Sequence, residues 1–230
     1  MISEESFIKN LTEVTQRLRQ ACVTCGRDFS EVKILPVTKT HGAWAAEYAV
    51  RAGWGAVGEN RVQEGAEKKP ACKEPAIWTL IGNLQSNKAK LAVETFDVIQ
   101  SVDRIKIVNA LAKHAQELNR QLDILLQVNA GNDPAKHGAE PEDATQLLDT
   151  ALEAAPFLNV KGLMTIAPLS DDPDIARRTF AALREIRDRL EASHGHPLPE
   201  LSMGMSGDLE SAVAEGSTCI RIGTALFGSR

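Results

Sequence analysis

The amino-acid sequence predicts an α/β protein, a single (β/α)8 TIM-type barrel with an extra N-terminal helix. Short apolar runs typical of buried strands alternate strictly with segments of helical period, and eight such runs can be counted. No linker, low-complexity stretch or shift in composition divides the 230 residues. Strict alternation predicts a parallel sheet, and eight units predict a closed barrel. We expect one domain, residues 1–230.

The chain begins with a predicted amphipathic helix. Phe7, Leu11 and Val14 recur at helical spacing, and the pattern runs from about residue 3 to residue 25, where Gly26 follows. The segment after the last strand is too short for a full helix. We expect the N-terminal helix, residues 1–26, to pack on the barrel and cover the face that this leaves open.

The remaining elements follow in order. The predicted strands are 32–39, 54–58, 77–81, 97–101, 122–128, 160–165, 200–203 and 218–222. The predicted helices are 43–52, 60–69 closed by Pro70, 84–94, one capped by Asp103, 143–155, 174–191 and 208–214. The alternative fold is an open doubly wound sheet, but no GxGxxG follows the first strand.

Composition excludes several classes of function. The formal net charge of −5 argues against a nucleic-acid or anionic-membrane surface. No apolar stretch approaches the roughly 20 residues of a membrane span, and the acidic start Ser3-Glu4-Glu5 is unlike a signal peptide. We therefore expect a soluble, cytoplasmic protein, with no membrane or nucleic acid among its partners.

The cysteines and histidines indicate no metal site. Cys22 and Cys25 form a CxxC pattern, which is compatible with a redox pair or half of a zinc site. No second CxxC exists and no histidine lies nearby in the sequence, so free thiols are expected. The five histidines lack metal-ligand spacing.

Lys39 is the first candidate functional residue. The apolar run from Val32 stops at this lysine, and the turn residues Thr40-His41-Gly42 follow. The carboxyl end of a barrel strand is where such enzymes hold their active sites. Burial would lower the pKa of the amine and free it for Schiff-base formation. The alternative is a lysine whose stem simply extends to solvent.

Two loops near the C-terminus predict a phosphate pocket. Ser206 stands near a helix start between Gly204 and Gly207, and Gly223-Thr224 ends the eighth strand. In barrels of this type the loops after strands seven and eight commonly bind phosphate. The alternative for the first loop is an ordinary helix N-cap with flexible glycines.

Arg221 is predicted to face the barrel interior, because it alternates with Ile220 and Ile222 in the last strand. A buried guanidinium needs a partner. That partner is either a carboxylate on a neighbouring strand or a ligand ring nitrogen. Asn60 and the segment 82–88 add polar groups after strands two and three, although turn chemistry alone would also explain them.

A lysine on strand one, an interior arginine on strand eight and a phosphate pocket after strands seven and eight form one coherent set. They describe a phosphorylated aldehyde held as a Schiff base, for which pyridoxal 5'-phosphate (PLP) is the obvious candidate.

The motifs around these residues resemble the pyridoxal phosphate homeostasis protein family, also called proline synthetase co-transcribed proteins. The matching segments are 37–40, 58–64, 81–88, 162–164, 202–206 and 221–228. The resemblance runs from about Val32 to the C-terminus. One position departs from the family pattern, because Trp78 is followed by Thr79 where the family usually has a histidine.

The resemblance implies a barrel like the N-terminal domain of alanine racemase. It implies that PLP is held by Lys39, Asn60, Ser202, Met203, Ser206, Arg221, Gly223 and Thr224. Among these, Lys39 would carry the cofactor, and Arg221 would lie near the pyridine nitrogen. The phosphate would be contacted by Ser206, Gly223 and Thr224. Asn60 would contact the ring, and Ser202 and Met203 would line the pocket.

Three functions are open at this stage. The first is a non-catalytic PLP carrier acting in vitamin B6 homeostasis, with PLP-dependent apo-enzymes as partners. The second is a PLP-dependent amino-acid racemase, and the third is a cofactor-free Schiff-base lyase.

The residues favour the carrier. A racemase needs a second proton donor, which the related racemase takes from a tyrosine on a separate domain. This chain is expected to end with the barrel, and Tyr48 is its only tyrosine. Arg221 would also keep the pyridine nitrogen unprotonated and weaken the ring as an electron sink. A monomer is expected.

Overall fold

The computed structural model describes residues 2–228. Its eight strands are β1 Lys33–Pro36, β2 Ala56–Glu59, β3 Ile77–Leu80, β4 Val98–Val102, β5 Leu122–Gln127, β6 Leu158–Met164, β7 Glu200–Ser202 and β8 Cys219–Ile222. All pair in parallel, in the order β1-β8-β7-β6-β5-β4-β3-β2.

The helices are α1 Glu4–Thr24, α2 Ala43–Arg51, α3 Val62–Ala71, α4 Ala89–Thr95, α5 Ile105–Glu117, α6 Ala144–Glu153, α7 Pro173–His194, α8 Leu209–Ala214 and α9 Thr224–Phe227. Each strand is therefore followed by a helix, of which the last has four residues.

The ring of strands closes between β1 and β2 through a single backbone bridge. Val37 pairs with Gly58 just beyond the end of β1. The Thr38 N–H donates to the Gly58 carbonyl at 2.9 Å, while the Val37 N–H donates to Ile222 on the other side at 2.7 Å. The predicted (β/α)8 barrel is confirmed.

Strand alternation divides the buried side chains into two sets. Ile220 and Ile222 belong to the large cluster that β8 shares with the surrounding helices. A small interior set comprises Leu35, Val37, Ile81 and Cys219. This division follows from the two-residue period of a strand.

The N-terminal helix α1 packs beside α8 and α9. Ser3 caps it by accepting a hydrogen bond from the Ser6 N–H, which satisfies one of the free donors of the first turn. Phe7 is fully buried and stacks on Phe227, with the ring centroids 5.2 Å apart. The ring centroid of Tyr48, on α2, lies 6.0 Å from that of Phe7. Aromatic packing therefore joins the two ends of the chain.

Three of the differences between the predicted and the observed element boundaries have a clear local cause. β1 ends at Pro36 rather than Lys39, because the chain turns at Thr40, whose φ is +68°. Pro70 lies inside α3, one residue before its end, where the missing N–H removes only one hydrogen bond. Asp103 does not cap α5. Arg104 holds the N-cap position, and the Asp103 carboxylate pairs with it instead.

Within residues 2–228, no helix is long and apolar enough to cross a membrane. The same residues contain no cluster of three or more histidine, cysteine, aspartate or glutamate side chains that could hold a metal ion. Cys22, Cys25, Cys72 and Cys219 are free thiols.

We expect Phe7→Ala to lower the free energy of unfolding by about 3–5 kcal/mol, because it leaves a cavity among buried rings. The neighbouring Ile8 is 44% exposed and provides the matched control. Ile8→Ala should change stability by about 0.5 kcal/mol or less. Urea denaturation followed by circular dichroism measures both, and equal losses would contradict the packing role of Phe7.

Candidate functional site

A cavity of about 330 Å³ opens at the carboxyl ends of the strands. It is lined by Val37, Lys39, Asn60, Ile81, Ile166, Met205, Ser206, Gly207, Arg221, Gly223 and Thr224. Six of the eight predicted site residues are among them. The lining carries an amine and a guanidinium, and none of these described lining residues has a carboxylate. The cavity is therefore cationic in a chain whose net charge is −5, which favours an anionic ligand.

Lys39 reaches the cavity from the short segment between β1 and α2. The expectation of a buried lysine is wrong, because Lys39 is exposed. The segment leaves the barrel after the Val37 bridge and turns at Thr40, which brings the lysine to the rim. Lys39 also lines a small side cavity of about 70 Å³ together with His41 and Thr224.

Ser206 and Gly207 lie in the turn between β7 and α8. The Asp208 carboxylate accepts a hydrogen bond from the Met205 N–H at 2.5 Å and so closes this turn. Burial raises the pKa of the Asp208 carboxyl. Asp208 is absent from the cavity lining, whereas Ser206 and Gly207 face it.

Gly204 does not line the cavity, and it allows two protein segments to approach each other closely. Its φ is +97°, and a Cβ there would lie 2.4 Å from the Ala212 Cβ. Gly204 therefore allows β7 to pass close to α8, while Gly207 has open space around it.

The N-terminal helix supports the same turn from outside. The Arg17 guanidinium donates to the Ser206 carbonyl at 2.6 Å and pairs with both carboxylate oxygens of Glu210 on α8. Such a bidentate pair fixes orientation as well as distance. α1 is therefore part of the framework that holds Ser206 in place.

Arg221 lies inside the barrel and is 4% exposed. Its Nη1 donates to the carbonyl and hydroxyl oxygens of Ser202 at 2.7 and 2.9 Å, and its Nη2 donates to the Thr165 carbonyl at 2.8 Å. In the described chain its hydrogen-bond partners are thus neutral oxygens rather than the carboxylate considered as an alternative. Burial lowers the pKa of Arg221, although a guanidinium keeps its charge in proteins.

Three of the five N–H bonds of the guanidinium are used in this way. The side chain also lines the cavity. The Ser202 hydroxyl in turn donates to the Gln100 side chain at 2.7 Å. Gln100, Ser202 and Thr165 therefore form the floor that orients Arg221.

Ser202 and Met203 do not line the cavity, contrary to prediction. Ser202 is fully buried beneath it, in contact with Arg221. Met203 belongs to the cluster between the strands and the helices. Strand alternation directs Met203 away from the barrel interior, whereas Ser202 faces the interior but lies below the cavity.

Asn60 follows β2 and lines two adjoining cavities. The second, of about 210 Å³, also contains Lys136 and His137 from the segment after β5. Ile81 and Ile166 line both cavities as well.

The backbone at position 82 passes so close to Asn60 that only glycine fits there. A Cβ on Gly82 would lie 2.0 Å from the Asn60 carbonyl oxygen.

Several apolar lining residues were not predicted from the sequence, chiefly Ile81, Ile166 and Met205. Ile81 and Ile166 come one and two residues after the ends of β3 and β6, so their place at strand ends was an available signal. Thr79 is buried within β3 and does not line the cavity.

A larger cavity of about 580 Å³ lies outside the barrel, between α1, α7 and α8, and contains Arg17, Cys25 and Arg177. No strand-end residue lines it. We therefore place the functional site in the smaller cavity above the strands.

A closed parallel barrel with a lysine after its first strand defines the class of the alanine racemase N-terminal domain. The sequence family described as "Alanine racemase, N-terminal domain" matches residues 9–230. An alanine racemase of Clostridium difficile has the same fold, with a TM-score of 0.80 at 14% identity. That match covers 98% of this chain and 57% of the racemase.

Within this class the chain belongs to the pyridoxal phosphate homeostasis protein family. It is 40% identical to the family member of Aquifex aeolicus, over 96% of this chain and 97% of the relative. The Escherichia coli member is 37% identical, over 96% of this chain and 95% of the relative. PipY of Synechococcus elongatus, solved with PLP bound, has a TM-score of 0.80 and 40% identity, covering 86% of this chain and 93% of PipY.

Proposed function

We propose that this protein binds PLP in the strand-end cavity and acts in PLP homeostasis, with Lys39 as the residue that holds the cofactor covalently. The observation that carries the proposal is the convergence of Lys39, Arg221 and the two glycine-hydroxyl loops on one cavity. The names of its close relatives and the PLP-bound structure of PipY support it.

The lining residues fit PLP by chemistry and by size. An amine suits an aldehyde, hydroxyl and backbone N–H groups suit a phosphate, and a guanidinium donor suits a ring nitrogen. A volume of about 330 Å³ lies within the usual range of ligand pockets. When bound, PLP supplies an aldehyde and a ring able to withdraw electrons.

Lys39 is proposed to bond to the aldehyde carbon through its amine nitrogen. The aldehyde oxygen leaves as water and a C=N bond replaces C=O, so no oxidant or reductant is required. The exposed position of Lys39 at the rim lets the amine meet the aldehyde as the cofactor enters.

Ser206, Gly223 and Thr224 are proposed to hold the phosphate. They come from the loops after β7 and β8 and line the same cavity. The cationic lining adds a long-range attraction for the phosphate. Asn60 is proposed to contact the ring from the opposite wall.

Arg221 is proposed to donate a hydrogen bond to the pyridine nitrogen. A guanidinium has no acceptor, so that nitrogen must stay unprotonated. An unprotonated pyridine is the weaker electron sink, which suits a carrier better than a racemase.

Two further observations support a carrier. The relatives are named as homeostasis proteins rather than enzymes. Tyr48, the residue considered as a second proton donor, packs against Phe7 and Trp44 and lines none of the cavities at the strand ends. A cytoplasmic location, a monomeric state and transfer of PLP to apo-enzymes stay predictions.

Borohydride reduction of the PLP-loaded protein, followed by peptide mapping, tests the covalent bond. We expect the reduced adduct on Lys39 and its loss in Lys39→Ala. Lys33→Ala, at the far end of β1, is the matched control and should keep the adduct on Lys39. An adduct on another lysine of the wild-type protein would contradict the proposal.

We expect Ser206→Ala and Thr224→Ala each to weaken PLP binding about tenfold or more, because a charge-assisted hydrogen bond contributes roughly 1.5–3 kcal/mol. Fluorescence titration with PLP and with pyridoxal measures the effect. Pyridoxal lacks the phosphate, so its affinity should change little in either variant. Ser211→Ala, on α8 outside the cavity, should leave both affinities unchanged. Equal losses for the two ligands would rule out the phosphate contacts.

We expect no substantial racemase turnover. With L-alanine in deuterated water, proton NMR follows loss of the Cα proton, and chiral chromatography follows the D-isomer. Slow exchange without inversion fits Lys39 acting on one face alone. Inversion at about 1 s⁻¹ or faster would show that a second base exists and that the protein is an enzyme.

A further inference from the structure

Behind Lys39, between the β1–β2 joint and α3, lies an ion cluster formed by the buried Lys68 and Glu59 and the partly exposed Glu64. Lys68 is 8% exposed and Glu59 is fully buried. The Lys68 ammonium donates to Glu59 Oε1, Glu64 Oε1 and the Thr38 carbonyl, each at 2.7 Å. An ammonium carries three N–H bonds, so these partners use all of them.

The cluster reaches both peptide groups that flank Lys39. The Thr38 carbonyl, which accepts from Lys68, belongs to the peptide before Lys39. The Thr40 N–H, which donates to Glu64 Oε1, belongs to the peptide after it. The Thr38 hydroxyl donates to Glu59 as well. The backbone of Lys39 is therefore held on both sides by groups that meet at one ammonium.

The hydrogen bond between the Thr40 N–H and Glu64 acts on a residue whose backbone is strained. Thr40 has a φ of +68°, a left-handed conformation that is unfavourable for a β-branched residue. The hydrogen bond from its N–H to Glu64 favours that conformation over the relaxed one. The turn gives Lys39 its direction into the cavity, so the Glu64 contact and the direction of Lys39 are linked.

Burial makes the charges of this cluster energetically unfavourable. Glu59 Oε2 is buried and has no hydrogen-bond partner among the described residues, and burial raises the pKa of Glu59. Burial also acts to raise the pKa of Glu64, but hydrogen bonds from Lys68 and the Thr40 N–H outweigh it and lower that pKa. Apolar residues at such positions often stabilise a fold at least as well. The charges therefore point to a role beyond stability.

We propose that Lys68, together with Glu59 and Glu64, positions Lys39 for covalent capture of the cofactor aldehyde. Lys68 itself does not line the cavity, so it acts through the two peptides and not on the ligand. The inference rests on the proposed bond between Lys39 and PLP.

Two ligands distinguish a role in positioning Lys39 from a role in maintaining the shape of the cavity. PLP carries the aldehyde, whereas 4-deoxypyridoxine 5'-phosphate keeps the ring and phosphate but cannot form the C=N bond. The variants are Lys68→Met and Glu64→Ala, with Lys69→Met as the matched control. Lys69 is the next residue on α3 and pairs with Asp97 and the Thr95 carbonyl, away from Lys39.

We expect Lys68→Met and Glu64→Ala to weaken PLP binding about tenfold, as for loss of a charge-assisted hydrogen bond. Affinity for the deoxy analogue should stay within about twofold, because ring and phosphate contacts are unchanged. Lys69→Met should alter neither affinity. Circular dichroism checks folding. Glu64 is partly exposed, so Glu64→Ala carries the test if Lys68→Met does not fold.

Equal losses for the two probes would assign the cluster a purely structural role and overturn the inference. Unchanged PLP affinity in a folded variant would overturn it too. If the wild-type protein itself does not prefer PLP to the deoxy analogue, the proposed covalent bond fails, and the inference falls with it. The wild-type comparison therefore tells the two failures apart.

Discussion

The closure of the barrel between β1 and β2 is the constraint on which the site depends. One backbone bridge, Val37 to Gly58, joins the first and second strands. Lys39 follows that bridge by two residues, and Asn60 follows it on the other strand. The joint therefore sets where the lysine and the opposite wall stand relative to each other. Seven further strand pairings hold the rest of the ring.

The barrel interior contributes the second fixed element. Arg221 is held by oxygens of Ser202 on β7 and of Thr165, the residue that follows β6. A buried guanidinium is unfavourable without such partners, so β6, β7 and β8 must be in register for it to be tolerated. The orientation of Arg221 is consequently settled by folding, before any ligand enters. A site preorganised in this way loses less entropy on binding.

Much of this could be predicted from the sequence, because strand alternation and strand ends are local patterns. They placed Arg221 inside the barrel and brought Ser206 and Thr224 to one end. Contacts between distant segments could not be predicted. Lys68 meets the Thr38 carbonyl across thirty positions, and no periodicity indicates such a pair. The exposure of Lys39 was missed for the same reason, since the Thr40 N–H at the following turn donates to Glu64, which lies far along the chain.

A crystal structure of the protein grown with PLP would show directly whether the cofactor is bonded to Lys39. We expect continuous electron density between Lys39 Nζ and the aldehyde carbon of the cofactor. We also expect the phosphate between the loops of Ser206 and Thr224, and the ring nitrogen facing Arg221. PLP joined to Lys136, or a phosphate bound away from those two loops, would contradict this expectation.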